Sequence, residues 1–163
     1  MPTTNPKRVH PLALEERCPQ RLRRRNPVRY NGWVTYRIAL VDDDRFLLDL
    51  YALKFKNAGH DVSVFESAKA FLESLHSPDT AHPDIALIDV IMPDMTGFEL
   101  VSKIRGEGLA PSTKIVFLTN QGQDADIDTA KKLSVDGYII KASAIPSEVC
   151  DEVVRIIEKG SSH

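Results

Sequence analysis

Five apolar runs alternating with five segments of helical period predict a doubly wound α/β domain, a parallel sheet with helices on both faces. Two observations carry this. The runs are short and mostly continuous, as in strands buried on both faces. Carboxylates, a hydroxyl and an ammonium follow them, at the edge where open parallel sheets bind ligands.

The elements follow in order from Arg37. Strands are expected at Ile38–Val41, Val62–Phe65, Ile85–Ile88, Ile115–Leu118 and Tyr138–Ile140. The first helix is marked by Phe46, Leu50 and Leu53, with Gly59 as a stop signal. Ser67 can cap a second helix carrying Phe71, Leu72 and Leu75. Phe98, Val101 and Ile104 mark a third, ended by Gly106 and Gly108. Ile127, Ala130 and Leu133 mark a fourth, with Asp124, Asp126 and Asp128 near its positive end. Val149, Val153 and Ile156 mark a fifth, with Pro146 suited to its first turn.

The chain has 163 residues, enough for one well-buried domain with length to spare, and a net charge of −2. That near-neutral total hides an asymmetry. Eight Lys/Arg face two Glu up to Tyr36, and 13 basic face 21 acidic residues beyond it. Residues 1–36 hold Pro2, Pro6, Pro11, Pro19 and Pro27, a basic run from Arg21 to Arg25, and no evident period. Such a segment buries too little apolar surface to offset its ordering entropy, so a disordered basic extension is expected there. Residues 37–160 are then the domain, and residues 161–163 a short tail. Cys18 and Cys150 form neither a metal motif nor a disulfide framework. With no membrane-length apolar stretch and no secretory signal, a cytoplasmic protein is expected.

The chemistry lies at the strand ends. Asp42, Asp43 and Asp44 follow the first strand, and adjacent carboxylates there are costly unless a cation offsets their repulsion. Asp44 suits a helix N-cap, which leaves Asp42 and Asp43 as the metal candidates. Asp89 ends the third strand, Thr119 the fourth, and Lys141 follows the fifth. Paired carboxylates suit Mg²⁺, a third beside them can attack phosphorus, and Thr119 and Lys141 would neutralise phosphoryl oxygens.

From about Arg37 to Lys159 the chain resembles the receiver domain of two-component response regulators. The resemblance rests on Val41-Asp42-Asp43-Asp44, Ile88-Asp89-Val90-Ile91-Met92-Pro93 with Gly97, Leu118-Thr119 and Gly137-Tyr138-Ile139-Ile140-Lys141. It implies a flavodoxin-like (βα)5 fold with strand order 2-1-3-4-5. It further implies that Asp89 accepts a phosphoryl group from the phosphohistidine of a sensor histidine kinase or phosphotransfer protein. Asp42, Asp43, Asp89 and the Ile91 backbone carbonyl would hold Mg²⁺. Lys141 would pair with phosphorylated Asp89, Thr119 would swing toward it, and Tyr138 would follow as an aromatic switch. Asn120, Gln121 and Ile91 would line the entrance and tune the phosphoryl lifetime. The only reaction expected is the protein's own phosphorylation and dephosphorylation.

No output domain follows the fifth helix, so a single-domain regulator is expected. It would signal, or self-associate, through the face around the fourth helix, last strand and fifth helix. One departure concerns the proline that the family usually places after the lysine in a cis peptide. Here Ala142 follows, so a trans or strained bond is expected. A nucleotide binder on this fold would need a phosphate-cradling loop where the aspartates stand. An aspartyl phosphatase would usually have a second Asp at the position of Ile91. The acidic domain argues against nucleic-acid binding, with the basic arm the only candidate for it. The remaining alternative is a receiver-like interaction module that works without phosphorylation.

Overall fold

In the computed structural model, residues 28–30, 33–120 and 122–159 are described. A hairpin, β1 (Val28–Tyr30) and β2 (Trp33–Thr35), precedes the main sheet. The sheet comprises β3 (Arg37–Val41), β4 (Asp61–Phe65), β5 (Ile85–Ile88), β6 (Lys114–Thr119) and β7 (Gly137–Ile140). Its order is β4-β3-β5-β6-β7, all parallel, which is 2-1-3-4-5 when these five strands are counted along the chain. The helices are α1 (Arg45–Asn57), α2 (Ala68–His76), α3 (Gly97–Gly106), α4 (Asp124–Lys132) and α5 (Pro146–Lys159).

Period-2 alternation along the strands divides the core into two layers. Ile38, Leu40, Ile85, Leu87, Val116 and Leu118 pack with α1 and α5. Ala39, Val41, Ala86, Ile88, Ile115 and Phe117 pack with α2, α3 and Ala130 of α4. Both faces are covered, as the continuous apolar runs require.

The punctuation expected from the sequence is present. Asp44 caps α1 by accepting the Phe46 and Leu47 N–H groups at 3.0 and 3.2 Å. Ser67 caps α2, Pro146 opens α5, and Gly59 follows α1 with φ +86°. One stripe differs. The side of α1 that faces the core is Leu48, Tyr51, Ala52 and Phe55, while Phe46 and Leu53 are 74 % and 57 % exposed. Both sets have helical spacing, so spacing alone marks the helix without selecting its buried face.

The absence of a strand period before Arg37 is corrected at residues 28–30 and 33–35, which pair in antiparallel register from Val28↔Thr35 to Tyr30↔Trp33. Residues 1–27 lie outside the described residues, as does the Arg21–Arg25 run. The hairpin is tied to the loop after α1, because the Thr35 hydroxyl donates to the Gly59 carbonyl at 3.1 Å. The Tyr36 carbonyl accepts the Asp61 N–H at 2.9 Å, and its N–H points to His60 Nδ1 at 3.5 Å. Tyr36 is buried, with its ring centroid 5.5 Å from that of His60.

Burial holds the His60 imidazole below its ordinary value of 6.5. The fold therefore prefers the neutral ring, whose Nδ1 can accept from Tyr36. Its stabilisation is complete above the unfolded pKa and is lost as pH falls through the lower folded value. Denaturant titrations from pH 7.5 to about 5 should thus show wild type losing more stability than His60→Gln.

Candidate phosphoacceptor site

The site is built by the register of the central strands. β3 and β5 pair with Val41 opposite Ile88, so the next residues leave the sheet side by side. The ladder continues one step further, with the Asp89 N–H donating to the Val41 carbonyl at 2.9 Å and the Asp42 N–H to Phe65 at 3.1 Å. Both backbones are thereby fixed before their side chains enter the cleft.

Asp42, Asp43 and Asp89 each offer a carboxylate oxygen, all within 4.8 Å of one another. Asp42 is 7 % and Asp89 9 % exposed, whereas Asp43 is exposed. Asp42 Oδ1 accepts the Asp44 N–H at 2.9 Å, which orients it. Asp44 takes no place in the cluster and is occupied as the α1 cap. Lys141 reaches across from the end of β7, with Nζ bonded to Asp42 Oδ2 and 3.8 Å from Asp89 Oδ2. Thr119, 1 % exposed at the end of β6, Asn120 and half-exposed Ile91 line the same cleft. Gln121 lies outside the described residues.

The Lys141 peptide departs from the cis arrangement, since no described peptide bond is cis. Lys141–Ser143 form a short 3₁₀ turn into α5, and the lysine side chain still enters the site with 5 % exposure.

Burial pushes the Asp89 carboxyl above its ordinary value, the Lys141 charge and the Thr119 hydroxyl pull it back, and the Asp42 charge raises it further. Asp89 Oδ1 is buried with no hydrogen-bond partner. A buried carboxylate oxygen without a partner is costly, and one beside two further carboxylates calls for a cation. The donors are all oxygen, as a hard divalent ion requires. The residues therefore fit Mg²⁺ at Asp42, Asp43 and Asp89.

The spacing of Gly97 from the motif conceals a steric requirement. A Cβ on Gly97 would lie 2.3 Å from the Asp89 carbonyl oxygen. The Gly97 N–H also donates to the Val90 carbonyl at 2.9 Å. The start of α3 thus presses against the backbone of Asp89, which only a glycine permits. On the adjacent strand, Phe117 links Phe98 and Tyr138, with ring centroids 5.0 and 6.1 Å away in edge-on contacts. Spacing does not single out Phe117, because an aromatic inside a β run reads as core.

Residues 38–153, well over half of the chain, match the family model of the response regulator receiver domain. The chain belongs to that family. It is similar to Regulatory protein VanRc of Enterococcus gallinarum, 33% identical over 108 residues, covering 64% of this chain and 43% of that protein. It is also similar to the chemotaxis protein CheY of Listeria monocytogenes, 28% identical over 125 residues, covering 77% of this chain and 98% of that one. The chain spans half or less of the length of the VanRc, CreB and VanR relatives. A CheY-like receiver domain from Methanospirillum hungatei superposes with TM-score 0.69 at 24% identity, over 77% of this chain and 95% of that one, and shows the fold. The BeF3-activated DrrB receiver domain superposes with TM-score 0.65 at 26% identity, covering 77% and 99%. Receiver domains bind Mg²⁺ at an acidic pocket.

Lys141 sets a positive charge directly against the cluster, bonded to Asp42 and 3.8 Å from Asp89. Removing one partner from a buried ion pair typically costs about 3–5 kcal/mol. Lys141→Met should lose stability on that scale in EDTA, and millimolar Mg²⁺ should restore part of it, as read by urea unfolding.

Proposed function

We propose that this receiver domain is a phosphoacceptor of a phosphorelay, with Asp89 as the acceptor. The observation that carries this reading is the buried, unpartnered Asp89 Oδ1 beside the Asp42 and Asp43 carboxylates. The donor is the phosphohistidine of a sensor histidine kinase or phosphotransfer protein. An Asp89 carboxylate oxygen attacks phosphorus, the P–N bond breaks, and the imidazole leaves with the electron pair and takes up a proton. Mg²⁺ held by Asp42, Asp43, Asp89 and the Ile91 carbonyl would supply positive charge to the phosphoryl oxygens. Lys141 then exchanges part of its contact with Asp42 for the phosphoryl group, and the Thr119 hydroxyl donates to it.

Three exposed apolar side chains suit the approach of a protein donor. Phe46, Ile91 and Ile145 are 74 %, 53 % and 59 % exposed. They stand at the start of α1, after β5 and before α5, on segments adjoining the carboxyl edge of the sheet. Ile91 and Asn120 line the cleft itself, where they would limit the water that hydrolyses the acyl phosphate. Tyr138 carries the change outward. Its ring contacts Phe117, two residues before Thr119, and it lies on the α4–β7–α5 face. That face is the proposed surface for a downstream protein or a second copy. The described residues include no helix long and apolar enough to cross a membrane, and action in the cytoplasm belongs to the same proposal.

Incubation with acetyl phosphate and Mg²⁺, followed by intact mass, should add one phosphoryl group. Asp89→Asn should abolish the addition and EDTA suppress it. Equal labelling of wild type and Asp89→Asn would refute the assignment. No labelling by acetyl phosphate or by a phosphorylated kinase would favour a phosphorylation-independent module.

A further inference from the structure

A small cavity adjoins Asp42 and Asp89 on the side of the sheet that α1 covers. Its volume is about 10 Å³, and Leu40 of β3, Leu87 of β5, Leu118 of β6 and Tyr51 of α1 line it with the two carboxylates. The three strand leucines and Tyr51 belong to the core layer under α1 and α5, which places the cavity there. Such a volume is about the least that holds one water molecule.

The polar groups around it are short of partners. Tyr51 is 5 % exposed, and its hydroxyl makes no hydrogen bond with any described residue. A buried phenol ordinarily finds a partner, and an apolar side chain would fill the same place without the desolvation cost. Burial, then the charges of Cys150 and Asp42, hold the Tyr51 phenol above its ordinary value of 10.0, so it keeps its proton and offers a donor. Asp89 Oδ1 is buried without a partner. Asp42 gives Oδ1 to the Asp44 N–H and Oδ2 to Lys141. Each carboxylate oxygen accepts two bonds, so Asp42 retains capacity and Asp89 Oδ1 can serve both Mg²⁺ and a further donor.

We infer that this cavity is a binding site for one water, held by Tyr51 against Asp42 and Asp89, and that Tyr51 is a positioning residue that shortens the life of the acyl phosphate. The role in lifetime rests on the phosphorelay reading of Asp89. The water accepts the Tyr51 O–H and donates to Asp89 Oδ1 and to Asp42, which makes up the roughly three hydrogen bonds usual for a buried water.

With Oδ1 turned inward, the oxygen that carries phosphorus is Oδ2, 3.8 Å from Lys141 Nζ. In hydrolysis a solvent water attacks phosphorus and gives up a proton to solvent, and the P–Oδ2 bond breaks. Its electron pair returns to the carboxylate, whose charge spreads onto Oδ1. That charge is larger in the transition state than in the acyl phosphate, so a donor aimed at Oδ1 speeds the loss of phosphate.

Tyr51→Phe removes the hydroxyl and keeps the ring. After labelling of the full chain with acetyl phosphate and Mg²⁺ and removal of the donor, intact mass should show Tyr51→Phe losing its phosphoryl group about 3–10-fold more slowly than wild type, the worth of one hydrogen bond. Equal decay would overturn the role in lifetime, because a side chain that only packs α1 alters melting and leaves decay unchanged. In the unphosphorylated protein, NMR should detect cross-relaxation between water and the methyl groups of Leu40, Leu87 and Leu118, weakened in Tyr51→Phe. No such signal in wild type would overturn the water site. A wild type that shows the water but takes no label would overturn the phosphorelay reading, and the role in lifetime with it, while supporting the site.

Discussion

The parallel pairing of β3 with β5 ends both strands at one level, Val41 opposite Ile88, and so delivers Asp42 and Asp89 side by side. The chain reverses its direction of sheet growth between these strands, β4 lying on one side of β3 and β5 on the other. Such a switch point opens a crevice beyond the strand ends. Here the crevice holds three carboxylates whose ligand oxygens lie within 4.8 Å of one another. Like charges so close, two of them on buried residues, cannot all be ionised cheaply. The site is therefore strained by its own charge, and it is stable to the extent that Lys141, a metal ion or a proton relieves it.

That strain explains how other elements are placed. Lys141 comes from β7, the far edge of the sheet, so the central carboxylates hold a strand they do not pair with. Any change in charge at Asp89 alters this hold directly. Gly97 lets α3 press on the Asp89 carbonyl, so the Asp89 backbone has little room to yield. Packing is thinnest on the opposite side. That side is β6, β7 and α4, where Thr119, Tyr138 and a helix with one buried residue meet. Asp89 thus has a closely packed backbone on one flank and a helix with a single buried residue on the other.

Much of this was legible in the residues. Apolar runs, interrupted only by Ser63 in β4, located all five strands of the main sheet, and the polar residue after each relevant run located Asp42, Asp43, Asp89, Thr119 and Lys141. These signals are strong because a doubly covered parallel strand tolerates no polar residue until it ends. Asp44 was separable from its neighbours because capping needs only one carboxylate. The buried side of α1 was not legible, since Phe46, Leu50 and Leu53 share helical spacing with Leu48, Tyr51 and Phe55. Partner packing alone distinguishes them. The hairpin before β3 carried a signal that proline and arginine content obscured. Asn31-Gly32 stands between Val28-Arg29-Tyr30 and Trp33-Val34-Thr35, and Asn-Gly favours two-residue hairpin loops. Close approach at Gly97 is a tertiary fact, invisible to spacing.

The central claim is that Asp89, and no other carboxylate of the cluster, becomes the acyl phosphate. Borohydride reduction of the phosphorylated protein converts a phosphorylated aspartate to homoserine, which peptide mass spectrometry can place along the chain. The account predicts homoserine at position 89, with Asp42 and Asp43 unmodified. Homoserine at position 42 or 43, or a phosphoryl group that survives reduction unchanged, would contradict it.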